Sequence, residues 1–252
     1  MKIGSLFAGI GGLELGLERA GVGHTVWQVE RDPFCQQVLA RHWPDATRYD
    51  DVTTVDWSTV EPVEVLCGGF PCQDLSYAGK GAGLAGERSG LWREYVRAVR
   101  GVRPRLVVVE NVPALLTRGL DVVLGDLAAC GYDAEWDCVP AAAVGAPHRR
   151  DRVFIVAHAD MSGRVERRRA ESVRAQQPAA ERSREDVAGP TGVGRGRPSD
   201  DGGEGYPWAA EPDVGRVANG VPRRVDRLRA LGNAVVPQVA EAVGRRVVEL
   251  AS

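Results

Sequence analysis

A chain of 252 residues with a formal net charge of −2 is long enough to bury one α/β core. It is too balanced in charge to act as a polycation, so any contact with nucleic acid must use a local patch. No window approaches the roughly 18 consecutive apolar residues of a spanning helix. The start, M-K-I-G-S-L-F-A-G, lacks the regions of a signal peptide, so a cytoplasmic protein with no membrane partner is expected.

The elements follow in chain order. Residues 2–7 (K-I-G-S-L-F) read as a short buried strand, and after a run of glycines L-E-L-G-L-E-R-A reads as an amphipathic helix ending at Gly21. Residues 25–30 read as a second strand. Asp32 and Pro33 then supply an N-cap and a first helical residue. Residues 63–67 read as a third strand, and 68–90, Gly-rich and without apolar period, as a long loop of the kind that usually carries function. A helix is predicted over 91–100, a strand over 105–112, a helix over 120–129, and strands over 132–139 and 153–157. Alternation of this sort predicts an α/β fold with a doubly wound, mostly parallel sheet, whose ligands sit beyond the carboxyl ends of the strands.

Beyond residue 158 the periodicity stops. Residues 159–206 are rich in Arg, Glu, Gly, Ser and Pro, which predicts a flexible insert or weakly ordered lobe. Positions 163–184 hold seven Arg and three Glu, a local surplus of positive charge. Order is expected again near Trp208, with a closing helix over 237–250. Lysine occurs only at Lys2 and Lys80, so positive charge is almost entirely arginine, the residue suited to bidentate contacts with phosphate and guanine. The same bias also fits a GC-rich genome.

Four features stand at predicted strand ends. F-A-G-I-G-G (7–12) joins a strand to a helix, where glycine lets a ligand approach the backbone and the helix N-terminus offers N–H groups. Glu30 ends the next strand, where an acid binds ribose hydroxyls. Together they point to a nucleoside cofactor, without separating NAD from S-adenosylmethionine. Cys72 follows Pro71 just past the third strand, a place for a nucleophile rather than for a core thiol. The other four cysteines, Cys35, Cys67, Cys130 and Cys138, add no C-x-x-C pair, which argues against a disulfide framework or a zinc site. Glu110 ends the apolar run R-L-V-V-V, where desolvation raises a carboxyl pKa and favours a proton donor.

These residues resemble the DNA cytosine-5 methyltransferase family. F-A-G-I-G-G is similar to its cofactor loop, G-G-F-P-C-Q-D-L-S (68–76) to its Pro-Cys-Gln nucleophile loop, and E-N-V (110–112) to its catalytic acid motif. H-R-R-D-R-V-F (148–154) resembles its Gln-x-Arg-x-Arg element, and L-G-N-A-V-V-P (231–237) its final motif. The matches span 2–158 and 221–245 in the family's order. The resemblance implies a Rossmann-like methyltransferase sheet over 1–158, a small irregular target-recognition region over 159–220, and a C-terminal segment, 221–252, returning to the catalytic domain. It implies that Cys72 adds to C6 of a cytosine flipped out of duplex DNA, that Glu110 protonates N3, and that S-adenosylmethionine methylates C5. Arg150, Arg152 and Asn111 belong to the implied catalytic set. Phe7, Ala8, Gly9, Gly11, Gly12, Glu30, Asp51, Val52, Pro71, Asn233 and Val235 are implied to contact the cofactor, and Gln73, Ser76 and Arg88 the substrate. A monomer acting on double-stranded DNA is expected, with a cognate restriction endonuclease as a genetic partner. Because C6 of a stacked base is out of reach, the Gly-rich loop at 73–90 is expected to move.

The sequence departs from the family at three places. His148 stands where Gln is usual, no clear Pro-Arg-Glu helix precedes the last motif (P-R-R-V-D-R-L-R, 222–229, is the candidate), and the recognition region is short. A tRNA cytosine-5 methyltransferase is the main alternative. A catalytically dead DNA-binding relative and a nicotinamide-dependent oxidoreductase fit the motifs less well.

Overall fold

The computed structural model describes residues 1–71, 90–159 and 223–251. All belong to one unit, built from 1–160 together with 208–252. The body of the long loop, with Cys72, Gln73, Ser76 and Arg88, and the Arg-rich insert lie outside the described residues.

Among the described residues, seven strands form one sheet in the order β3-β2-β1-β4-β5-β7-β6. They are β1 (Lys2–Leu6), β2 (His24–Val29), β3 (Thr47–Tyr49), β4 (Val65–Gly69), β5 (Leu106–Asn111), β6 (Tyr132–Val139) and β7 (Arg152–Ala159). β1 to β5 pair in parallel. β7 runs antiparallel to both β5 and β6. The sheet is therefore mostly parallel and Rossmann-like, with a reversed edge. β5 (L-V-V-V-E-N) is buried at every position, as a central strand covered on both faces must be.

The helices are α1 (Gly12–Arg19), α2 (Pro33–His42), α3 (Gly90–Val102), α4 (Leu115–Arg118), α5 (Leu120–Ala129), α6 (Arg224–Asn233) and α7 (Pro237–Ala251). Asp32 caps α2, its Oδ1 accepting from the amides of Phe34 and Cys35, with Pro33 at the first helical position. α3 is strongly amphipathic and buries Trp92, Tyr95, Val96, Ala98 and Val99. Its aromatic residues join Phe70 and Phe7 in a row of rings, with centroid spacings of 5.1 Å (Phe70–Trp92), 5.3 Å (Trp92–Tyr95) and 6.5 Å (Tyr95–Phe7). On the opposite face, α1 and α7 pack against β1, β4 and β5 around Ile3, Leu17, Val65, Val108 and Val247. The two helices come close because Gly16 and Gly244 carry no side chain: a Cβ on either would run into Ala240 or Ala20 respectively.

The predicted strands and long helices all form. β3, α4 and a 3-10 turn at Ala141–Val144 are additional, and α6 falls on 222–229, the candidate for the helix before the last motif, running on to Asn233. β3 is a three-residue, largely exposed edge strand with no alternation to betray it. α6 is polar, with Val225 and Leu231 exposed, so it carries no apolar stripe of the kind that marks a packed helix.

Candidate active site

The parallel strands β1, β2, β4 and β5 all end at one edge of the sheet. Because β7 is antiparallel to β5, its first residue starts at that same edge. Asn111 pairs with Val153, so Arg152 stands just beyond the end of β5. Arg152 Nε lies 2.9 Å from Glu110 Oε1, and both side chains are mostly buried. Burial pushes Glu110 up to about 7, and the charges of Arg152 and then Arg150, with the hydrogen bond from Arg152, only partly counter it. The group is therefore close to half-protonated near neutral pH, and it can both donate and recover a proton. Space for it is left by Gly69 on the neighbouring strand, where a Cβ would sit 2.5 Å from Glu110 Oε2.

Asn111 turns inward. Its Nδ2 donates to the Phe70 carbonyl at 3.1 Å and its Oδ1 accepts from the Val112 amide at 2.9 Å. It thus fixes the end of β4 two residues ahead of Cys72, and is placed to position the backbone rather than to react.

The glycine loop turns sharply at Gly9 (φ 57°) and Gly11 (φ 84°), conformations that suit glycine, and Phe7 is also left-handed at φ 55°. Gly11 is the N-cap of α1 and provides no side-chain cap. Glu30 braces the loop: Oε2 accepts from the Gly9 amide at 2.7 Å and Oε1 from the Asp32 amide at 2.7 Å. Burial raises its pKa, and the amides of Asp32 and Gly9 oppose the rise. Each oxygen retains a lone pair able to accept from a ligand hydroxyl.

The C-terminal segment closes the edge. Arg150 Nη2 donates to the carbonyls of Gly232 (2.7 Å) and Ala234 (2.6 Å), tying the segment before α7 to the turn before β7. A Cβ on Gly12 would strike the Val235 carbonyl, so the first turn of α1 touches this segment directly. Asp32, the N-cap of α2, meets Arg229 in the middle of α6, and Gln37 of α2 accepts from Arg223, the N-cap of α6. α7 is anchored to β6 by a two-pronged ion pair from Arg246 to Glu135, at 2.7 and 3.0 Å.

Between these parts lies a cleft lined by Phe7, Gly9, Glu14, Gly69, Glu110 and Val235, among others. Of the residues singled out from sequence, Phe7, Ala8, Gly9, Gly12, Glu110, Asn233 and Val235 reach it. Gly11, Glu30, Asn111, Arg150 and Arg152 stand behind as supports. Pro71 is half-buried at the end of the described segment. Asp51 and Val52 are placed differently: Asp51 Oδ1 accepts from the amide and hydroxyl of Thr53, which holds its pKa down, and the Val52 side chain is in the core. The Val52 carbonyl is held by Arg97, together with those of Thr53 and Val55. Ser5, Glu14 and Gly68 also line the cleft and were not singled out. Glu14 left a signal: it sits between Leu13 and Leu17 on the apolar side of α1, where an acid has no structural reason to be.

The comparisons with known proteins agree with this geometry. Residues 1–189 match the model of the C-5 cytosine-specific DNA methylases. The chain belongs to that family. Among similar methylases, the Type II methyltransferase M.NgoFVII of Neisseria gonorrhoeae is 35% identical over 161 residues, covering 62% of this chain and 43% of that protein. M2.BsuMI of Bacillus subtilis is 34% identical over 165 residues, covering 62% and 42%. The chain therefore spans less than half the length of these relatives. Among solved structures, a DNA modification methyltransferase encoded within an E. coli prophage superposes with a TM-score of 0.54 at 25% identity, covering 63% of this chain and 47% of that one. Spodoptera frugiperda DNMT2 superposes equally well at 19% identity, which shows the shared fold. Membership implies a methyl donor. Among the described residues no helix is long and apolar enough to cross a membrane.

Proposed function

We propose that this chain methylates C5 of cytosine in duplex DNA, with S-adenosylmethionine as the donor. The observation that carries the reading is Glu110: a buried carboxyl poised near neutral pH, braced by Arg152, facing a cleft whose other wall is the glycine loop. The residues present fit a nucleoside donor. A Cβ on Gly9 would meet nothing within 4 Å, so the loop has open space above it. Glu30 has lone pairs for ribose hydroxyls, and the uncapped N-terminus of α1 suits a carboxylate. Phe7, Gly9, Gly12, Asn233 and Val235 would hold the donor. When bound, it supplies an electrophilic methyl group.

The rest of the chemistry falls to the protein. The Cys72 thiolate adds to C6 while Glu110 delivers its proton to N3, so that no charge accumulates on the ring. Once C5 carries the methyl group, loss of the C5 proton and departure of the thiolate restore the aromatic base, and N3 returns its proton to Glu110. Arg152 holds the Glu110 carboxyl at the cleft, and Arg150 keeps the 232–235 segment closed on the same edge. Residues 159–220 would supply the target contacts, their arginines reaching phosphates, which gives affinity and position rather than sequence. A restriction endonuclease as genetic partner, a monomeric state and a cytoplasmic location complete the proposal.

The test is expression in a methylation-deficient bacterium with mapping of 5-methylcytosine, with Cys72→Ser alongside. Methylation in one short context, lost in Cys72→Ser, is the expected result. Normal methylation by Cys72→Ser would overturn the nucleophile. Transfer to tRNA but not to DNA by the purified protein would overturn the polymer.

A further inference from the structure

Of the two carboxylates among the described residues of the cleft, Glu14 and Glu110, Glu14 is the one that the proposed reaction does not use. It is fully buried in the first turn of α1, and neither carboxyl oxygen has a hydrogen-bond partner among the described residues. An ionised carboxylate in that state is costly, and natural proteins rarely leave one without a purpose. Burial pushes its pKa up to about 7; the Ser5 hydroxyl and its own amide lie near enough to oppose this, but neither completes a hydrogen bond. The charged groups around it are of its own sign: Glu18 and Glu30 both raise its pKa further. Ser5 of β1, Gln28 opposite it on β2 and Cys67 beside it on β4 are neutral neighbours on the sheet. Glu110 lines the same cleft. α7, which packs along α1, brings Pro237, Ala240 and the Glu241 backbone to Gly16, and the Glu241 carboxylate is paired with Arg245. Among the described residues, these neighbours of Glu14 offer it no cation.

The donor proposed above is a cation with an α-amino acid at one end. If Glu30 takes its ribose and its methyl group faces Glu110, its amino-acid end falls over the start of α1. That helix end has no side-chain cap and suits the carboxylate, but N–H groups cannot bind an ammonium. We propose that Glu14 binds the α-ammonium group of the donor, so that α1 reads both charges of the amino acid: its N-terminus the carboxylate, Glu14 the ammonium. Ser5 is the residue placed to orient the Glu14 carboxyl. This assignment rests on the donor being S-adenosylmethionine.

Calorimetric titration of the purified full chain tests it without turnover. The probes are S-adenosylmethionine and its analogue lacking the α-amino group, against the wild type and Glu14→Gln. The wild type should prefer the amino-bearing donor by roughly tenfold to hundredfold, the range for a desolvated hydrogen bond between charged groups, and Glu14→Gln should bind both alike. Because the preference is a ratio within one protein, partial unfolding of the variant does not alter it. At about pH 6.5 an α-amino group is already protonated, so the wild type should also release a proton on binding, read from heats in two buffers. Glu14→Gln should release none. A preference retained in Glu14→Gln, or an equal lack of preference in the wild type, overturns the assignment. A variant that weakens S-adenosylmethionine but not its demethylated product also overturns it, since both carry the ammonium. A wild type that binds neither probe refutes the donor itself, a separate outcome.

Discussion

Replacing Arg152 by Met removes the partner of Glu110 while keeping most of the apolar stem. Two unit charges about 4 Å apart interact by roughly 4 kcal/mol at an effective dielectric near 20. The Arg152 side chain is 20% exposed, so solvent screening reduces this to about 2 kcal/mol, or roughly 1.5 pKa units on Glu110. The sign follows from linkage. Glu110 is raised to about 7 in the folded protein, above its ordinary value, so it stabilises the fold most when protonated, and stability falls as pH rises through about 7. At about pH 5.5 the carboxyl is protonated with or without Arg152, and the substitution costs only the lost contact and neutral hydrogen bond. At about pH 9 the wild-type carboxylate is paired, whereas the variant must bury it alone or hold its proton. The extra cost of about 2 kcal/mol corresponds to a fall in Tm of about 4–8 °C for a protein of this size. Thermal unfolding of the wild type and Arg152→Met at both pH values, repeated in a Glu110→Gln background, is the assay. The gap should widen with pH in the first pair and stay constant in the second. A gap of equal size at both pH values would show that the ion pair does not set the state of Glu110.

Two further outcomes are expected. Gly12→Ala places a methyl group against the Val235 carbonyl, so the segment before α7 must shift, at a cost of about 1–3 kcal/mol. Its unfolding temperature and its affinity for S-adenosylmethionine should both fall; unchanged affinity would mean that this close approach does not shape the donor site. Deleting residues 163–184, with their surplus of arginine, should weaken DNA binding and flatten the plot of log affinity against log salt concentration. An unaltered slope would mean that these arginines do not contact phosphate.

Much of the site was legible because its parts are local. The glycine loop, Glu30 and Glu110 each announce themselves within a few residues, as a strand running into glycine or into an isolated acid. The long elements were legible for a similar reason, since an apolar run bounded by polar turns needs no partner to be recognised. The short edge strand β3 and the polar helix α6 gave no such pattern. Asp51 is a candidate through the family resemblance alone, and only the structure shows that its Oδ1 accepts from the amide and hydroxyl of Thr53 in its own turn.

The sequence by itself determined the family, the parallel core and the identity of the strand-end residues, because each depends on side chains close along the chain. The tertiary structure decided which of them work together. Reversal of β7 is a matter of long-range pairing, and it alone brings Arg152 onto Glu110. Arg150 meets the 232–234 carbonyls only because α7 returns to pack on α1 through Gly16 and Gly244. The sequence shows Glu14 only as an acid on the apolar side of an amphipathic helix; its complete burial beside the sheet, with neither carboxyl oxygen partnered, is seen only in the tertiary structure.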